Sequence, residues 1–231
     1  MPGARGGVTI FDFDVNPDNN QLVATGNFRT VAGQPRGKLF VANLGANRAT
    51  LDAWYYEPFG EDCATTHPRR VANLQGVDYS PTGSHFAVAA TGQIVAAGDT
   101  DRTVCDGVGY FELADDSTPE WINYTGGDSV WSVAATGAAV YAQGHFTWLN
   151  NRNGHASQCP PDDLDVCAPR KGVGAIDPST GMALPWDPHK PARLGGKDFL
   201  ATDNGLWIVS DSRKINGEKR HGLAFMPLPQ P

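Results

Sequence analysis

The stretch "FDFDVNPDNNQ" places Asp12, Asp14, Asn16, Asp18 and Asn20 at every second position. Alternating side-chain oxygens are the raw material of a calcium loop, but a loop of the EF-hand kind also needs Gly at its sixth position and Glu at its twelfth. Counted from Asp12, those places hold Pro17 and Val23. The apolar set Phe11, Phe13 and Val15 alternates with Asp12, Asp14 and Asn16, which is the period of a half-buried strand. Strand followed by turn is therefore the reading adopted, with calcium kept as the alternative and no other cofactor expected.

Other reactive types are scattered. His145, in "QGHFTWLNN", has Phe146, Trp148, Asn150 and Asn151 nearby, a mix of aromatic face and amides suited to a sugar. With Asp211 it could form a general acid/base pair. No Gly-x-Ser-x-Gly, phosphate loop or dinucleotide fingerprint occurs. The pairs Asp115/Asp116 and Asp162/Asp163 fall in turn-like stretches rather than at opposed positions across a cleft. "CATTH", Cys63 to His67, is the only local Cys/His pair, and nothing at zinc spacing completes it. Neither a metal site nor a catalytic residue is assigned.

Four cysteines permit three pairings. Cys159 and Cys167 flank the polar "PPDDLDV", and Cys63 and Cys105 sit in turn-like surroundings. The expected pairs are Cys159–Cys167 and Cys63–Cys105, with buried free thiols as the alternative. Paired cysteines imply an oxidising compartment. No signal peptide is visible in "MPGARGGVTIFDF", so an extracellular or cell-surface protein would have to start upstream of this chain. No apolar run reaches membrane-spanning length.

The elements that must position these residues repeat along the chain. "FDVNPDNNQLVATGN" (13–27) aligns with "VDYSPTGSHFAVAAT" (77–91), and "VWSVAATGAAVYAQGH" (130–145) and "DFLATDNGLWIVSD" (198–211) share the outline. "RGKLFVANL", "CDGVGYFEL", "RKGVGAIDP" and "RHGLAFMPL" follow in turn, and Trp54, Trp121 and Trp186 close the first three copies. A module of about sixty residues with short strands and glycine-rich turns describes a propeller blade. The chain has 231 residues with 27 Gly, 17 Pro and only 19% charged residues, which suits short strands better than long helices. The expected fold is all-β: one β-propeller domain over 1–231, of about four blades or part of a larger propeller, with repeats near 8–58, 70–125, 128–188 and 193–228. The repeated tryptophans are expected to pack between or at the edges of blades.

These copies resemble the β-propeller repeats of secreted actinobacterial proteins related to the delta-sixty type. The resemblance rests on "VDYSPTGSHFAVAATG", "CDGVGYFEL", "YTGGDSVWSVAATGAAVYAQGHFTWLNN", "GVGAIDPSTGMALPWDP" and "LATDNGLWIVSDS". It implies a blade-built fold and an extracellular or cell-surface place, and carries over no catalytic residue.

The residue just after the second strand of each copy is Asn27, Thr91, His145 or Asp211. All four are polar, so a ring of them at one channel mouth could bind a ligand, with Trp148 as a neighbouring aromatic contact; strand-end capping is the default explanation for such residues. Lys and Arg number 18 against 25 Asp and Glu, a net charge of -7 that argues against nucleic acid as a partner. The expected function is a non-enzymatic extracellular binding or interaction module for a protein or carbohydrate at one propeller face. The alternative is a carbohydrate-active enzyme, a hydrolase or lyase, at the channel mouth.

Overall fold

A computed structural model describes residues 8–63, 71–92, 104–114, 118–155, 158–191 and 195–227; His67, Asp115 and Asp116 lie outside them. The described chain is built from antiparallel sheets. The first sheet orders β1 (Ile10–Val15), β2 (Gln21–Gly26), β5 (Leu39–Leu44) and β6 (Ala49–Leu51), with β3 (Thr30–Val31) and β4 (Gln34–Pro35) as a separate small hairpin. The second orders β7 (Asn73–Tyr79), β8 (His85–Thr91), β9 (Gly107–Glu112) and β10 (Pro119–Tyr124). The third has β11 (Val130–Ala135), β12 (Val140–Gly144) and β15 (Val173–Ile176), with the hairpin β13 (Trp148–Leu149) and β14 (Ala168–Pro169). The fourth has β16 (Gly196–Thr202), β17 (Gly205–Ser210) and β20 (Leu223–Pro227), with the hairpin β18 (Lys214–Ile215) and β19 (Glu218–Lys219). No described helix is long and apolar enough to cross a membrane.

The opening motif forms β1 and a turn. Asn16 Oδ1 accepts the Asn20 and Gln21 N–H groups at 3.0 and 2.9 Å, and Asn16 Nδ2 donates to Asn20 Oδ1 at 2.7 Å. The amide oxygens thus close the turn by side-chain-to-backbone bonds.

The same local devices recur in every sheet. The first strand carries a bulge against the second at Ile10/Asp12, Leu74/Gly76, Val130/Ser132 and Gly196/Asp198. A residue with positive φ precedes each third strand: Lys38 (66°), Asp106 (49°), Gly172 (72°) and Gly222 (83°). Bulges raise local twist, and the left-handed step redirects the chain into the third strand, so the repeat is conformational even where the residue types differ.

First strands pack side by side, β1 on β7, β7 on β11 and β11 on β16. Successive sheets bury apolar layers between them. Trp54 fills the first layer, edge-on to Phe86 and Phe111 at 5.0 and 5.6 Å, and its indole N–H donates to the Glu112 carbonyl at 3.2 Å. Trp121 stacks on Tyr110 at 5.1 Å in the second and donates to the Pro178 carbonyl at 2.8 Å. Trp186 meets Tyr141 at 5.1 Å in the third. In the first three repeats a tryptophan therefore serves inter-sheet packing, where its large area counts, and the N–H of Trp54 and of Trp121 reaches a carbonyl. β8 is buried from Phe86 to Thr91 because sheets cover both its faces, whereas Phe13 on β1 and Leu200 on β16 are 61% and 60% exposed.

Both disulfides form in the expected pairing, Cys63–Cys105 and Cys159–Cys167. Cys63 and Cys105 are buried, and Gly92 packs so close that a Cβ there would lie 2.7 Å from Cys63 Sγ. The loops closed differ, with sequence separations of 42 and 8. Loop entropy gives about 4 kcal/mol for the first and about 2.5 kcal/mol for the second. Replacing Cys63 and Cys105 together by Ala should lower the melting temperature by roughly 10 °C, and the Cys159/Cys167 double replacement by clearly less. Calorimetry showing an equal or reversed order would contradict this.

Candidate functional site

The first strand of each sheet has an edge that pairs with nothing in its own sheet, so its N–H groups need other acceptors. Carboxylates supply several of them. Asp12 accepts the Phe13 N–H on Oδ1 at 2.9 Å and the Val77 N–H of the second sheet on Oδ2 at 3.0 Å. Asp14 does the same for Val15 and Tyr79, both at 2.8 Å. Asp78 continues the scheme, taking the Ala135 N–H of the third sheet at 2.6 Å. Such bonds are stronger where the accepting carboxyl is ionised than where it is neutral.

A small pocket of about 260 Å³ opens where the four first strands approach one another, with Asp14, Asp78, Ala135 and Phe199 among its walls. Burial is the largest cause holding the Asp78 carboxyl well above its ordinary 3.8; the Ala135 N–H opposes it, and the nearby Asp14 and Asp12 reinforce it. Burial also raises Asp12, against the Val77 and Phe13 N–H groups. Chemically the pocket offers a carboxyl that keeps its proton beside others that bridge strand edges.

At the other end of the first strands lie the polar residues singled out from the repeats. Asn27, His145 and Asp211 each donate a backbone N–H to the carbonyl just ahead of β1, β11 or β16: Thr9 at 3.0 Å, Ser129 at 2.9 Å and Gly195 at 3.0 Å. Asn27 Oδ1 accepts the Thr9 N–H at 2.6 Å. Thr91 is buried opposite Asn73. His145 meets the Trp131 ring edge-on at 5.6 Å, and the Asp211 carboxylate lies 3.8 Å from Lys197 Nζ. The four share one end of the molecule. Trp148 stands on the β13–β14 hairpin, paired with Pro169.

The three small hairpins leave the sheets at this same end, directly after those residues. Between the hairpins of the third and fourth sheets runs a groove of about 620 Å³, which includes Arg170, Lys171, Asp187, His189, Lys190 and Lys214. Arg170 is held on backbone carbonyls, Leu184 at 3.0 Å from Nε and Pro169 at 2.7 Å from Nη1. Lys190 is buried and donates to the Gly144 carbonyl at 3.3 Å. Burial pulls its ammonium down to about 8, against the pull of Asp211. The groove's acid, Asp187, pairs with His189 at 2.9 Å. Lys171 and Lys214 are exposed. Sequence reasoning missed this groove, although the basic character of "SRKINGEKRH" (212–221, with Arg213, Lys214, Lys219 and Arg220) is a local signal of it.

The comparisons bear on the fold. The solved structure of Saccharomyces cerevisiae Sqt1 is similar over 96% of this chain, with a TM-score of 0.51 and 10% identity. This chain covers 46% of Sqt1, about half of its length. Sqt1 is a WD40 β-propeller, so the architecture is propeller-like. No family model matches the chain. No curated protein matches it in sequence.

The raised Asp78 carboxyl makes stability pH-dependent. Above pH 3.8 the unfolded chain has released this proton while the folded chain keeps it, so this site's contribution to stability falls as pH rises. Asp78→Asn keeps an acceptor for Ala135 and removes the ionisation. Its melting temperature should exceed that of the parent at about pH 8 and approach it near pH 4. A constant difference across that range would contradict the assignment.

Proposed function

We propose that the protein is a non-enzymatic interaction module whose binding face is the hairpin-bearing end, and that the groove between the third and fourth sheets takes an acidic segment of a protein partner. One observation carries the reading: a chain of net charge -7 concentrates Arg170, Lys171, Lys190 and Lys214 in one groove whose acid is already paired with His189. Local positive potential in a chain of opposite net charge selects and steers an acidic ligand. The propeller-like core supplies the rigid frame, and loops on such a frame are where binding residues concentrate. Asn27, His145, Asp211 and Trp148, which stand at the same end, are taken into the proposed face as its rim, with Thr91 buried beneath it. The two disulfides are compatible with an extracellular setting.

The test is fluorescence anisotropy with labelled poly-glutamate and poly-lysine peptides. Poly-glutamate should bind, less tightly as salt rises, and poly-lysine should not. Lys171→Glu with Lys214→Glu, both at exposed positions, should weaken binding by about tenfold, or about 1.4 kcal/mol. Equal binding of both peptides, or no effect of the double reversal, would remove the groove from the proposal.

A further inference from the structure

At the opposite end of the second sheet, three neighbouring strands bring together His85, Glu112 and Glu120. His85 opens β8 and stands directly across from Glu112 at the end of β9. Glu120 lies on β10, where the pairing shifts between Pro119 and Trp121. That shift makes Glu120 the extra residue of a bulge, and a bulge re-aims the side chain it carries. As a result an imidazole nitrogen and one oxygen from each carboxylate lie within 4.8 Å of one another.

We propose that His85, Glu112 and Glu120 bind a divalent transition-metal ion of the zinc type. The donor set is one nitrogen and two carboxylate oxygens, which suits zinc and its neighbours better than magnesium or calcium, which take oxygen ligands. Two carboxylates held this close repel, and neither has a Lys or Arg partner among the described residues; a dication between them removes the repulsion. The imidazole is also held in place before any ion arrives. Ser84 Oγ lies 2.8 Å from Nδ1, and the ring stacks on Tyr110 at 5.0 Å with 6° between planes. Tyr110 is in turn stacked on Trp121, at 5.1 Å. Ligand residues oriented by surrounding hydrogen bonds and packing are the usual support of a metal centre. Three protein ligands leave coordination positions for water or for a group from a bound partner.

The experiment is calorimetric titration of the EDTA-treated, dialysed chain with ZnCl2, with CaCl2 and MgCl2 run alongside. One saturable zinc site per chain is expected, with much weaker binding of the other two ions and a melting temperature that rises with zinc concentration. Glu112→Gln with Glu120→Gln should weaken zinc by at least about tenfold while the far-UV circular dichroism stays that of the parent. If that double variant does not fold, Glu120→Gln alone, at an exposed position, gives the same comparison. No saturable zinc binding, or an affinity unchanged by these variants, would overturn the proposal.

Discussion

The structure turns on how the free edges of the first strands are satisfied. The first strand of each sheet packs beside the first strand of the next, and no further strand of its own sheet continues the ladder there. Asp12 and Asp14 answer this by using both carboxylate oxygens, one on their own strand and one on the next sheet. Asp78 carries the same link from the second sheet to the third. Each bond satisfies a backbone donor and at the same time sets the height of one sheet against the next. The constraint has a cost, since carboxyls drawn together under burial resist ionisation, and Asp78 shows that effect most strongly.

Outside this centre, hydrophobic layers do the remaining work of assembly. Trp54, Trp121 and Trp186 stand in successive layers, and two of them also find a carbonyl for the indole N–H. With layers and inner links both in place, the hairpins at one end are held on a stiff base. A groove lined by Arg170, Lys171, Lys190 and Lys214 lies between β13–β14 and β18–β19, with its acid Asp187 paired to His189. Among these cations Lys190 is a buried ammonium that donates to the Gly144 carbonyl.

Much of the frame was legible in the residues. The alternation around Asp12 and Asp14 read as strand and turn, because a period of two and a proline-bearing turn are local properties. The cysteine pairs read correctly because Cys159 and Cys167 bracket a short polar loop and leave the other two for each other. The candidate sites were less legible. Asn27, Thr91, His145 and Asp211 share a repeat position and one end of the molecule, yet each has a neighbour of its own: Thr9, Asn73, Trp131 and Lys197. Equivalence in sequence places residues at equal heights; it does not say which way their side chains reach.

By itself the sequence determined the all-β character, the repeat and the strand-and-turn units, since each follows from spacing along the chain and from turn chemistry; it favoured one cysteine pairing among three, which the fold then made. Tertiary structure alone decided which sheet the Asp12, Asp14 and Asp78 carboxylates reach, that Arg170, Lys190 and Lys214 share a groove, and that His85, Glu112 and Glu120 converge. These depend on sheet-to-sheet register and on a bulge that turns one side chain. Both arise only when separate strands meet, and neither leaves a fixed spacing in the chain.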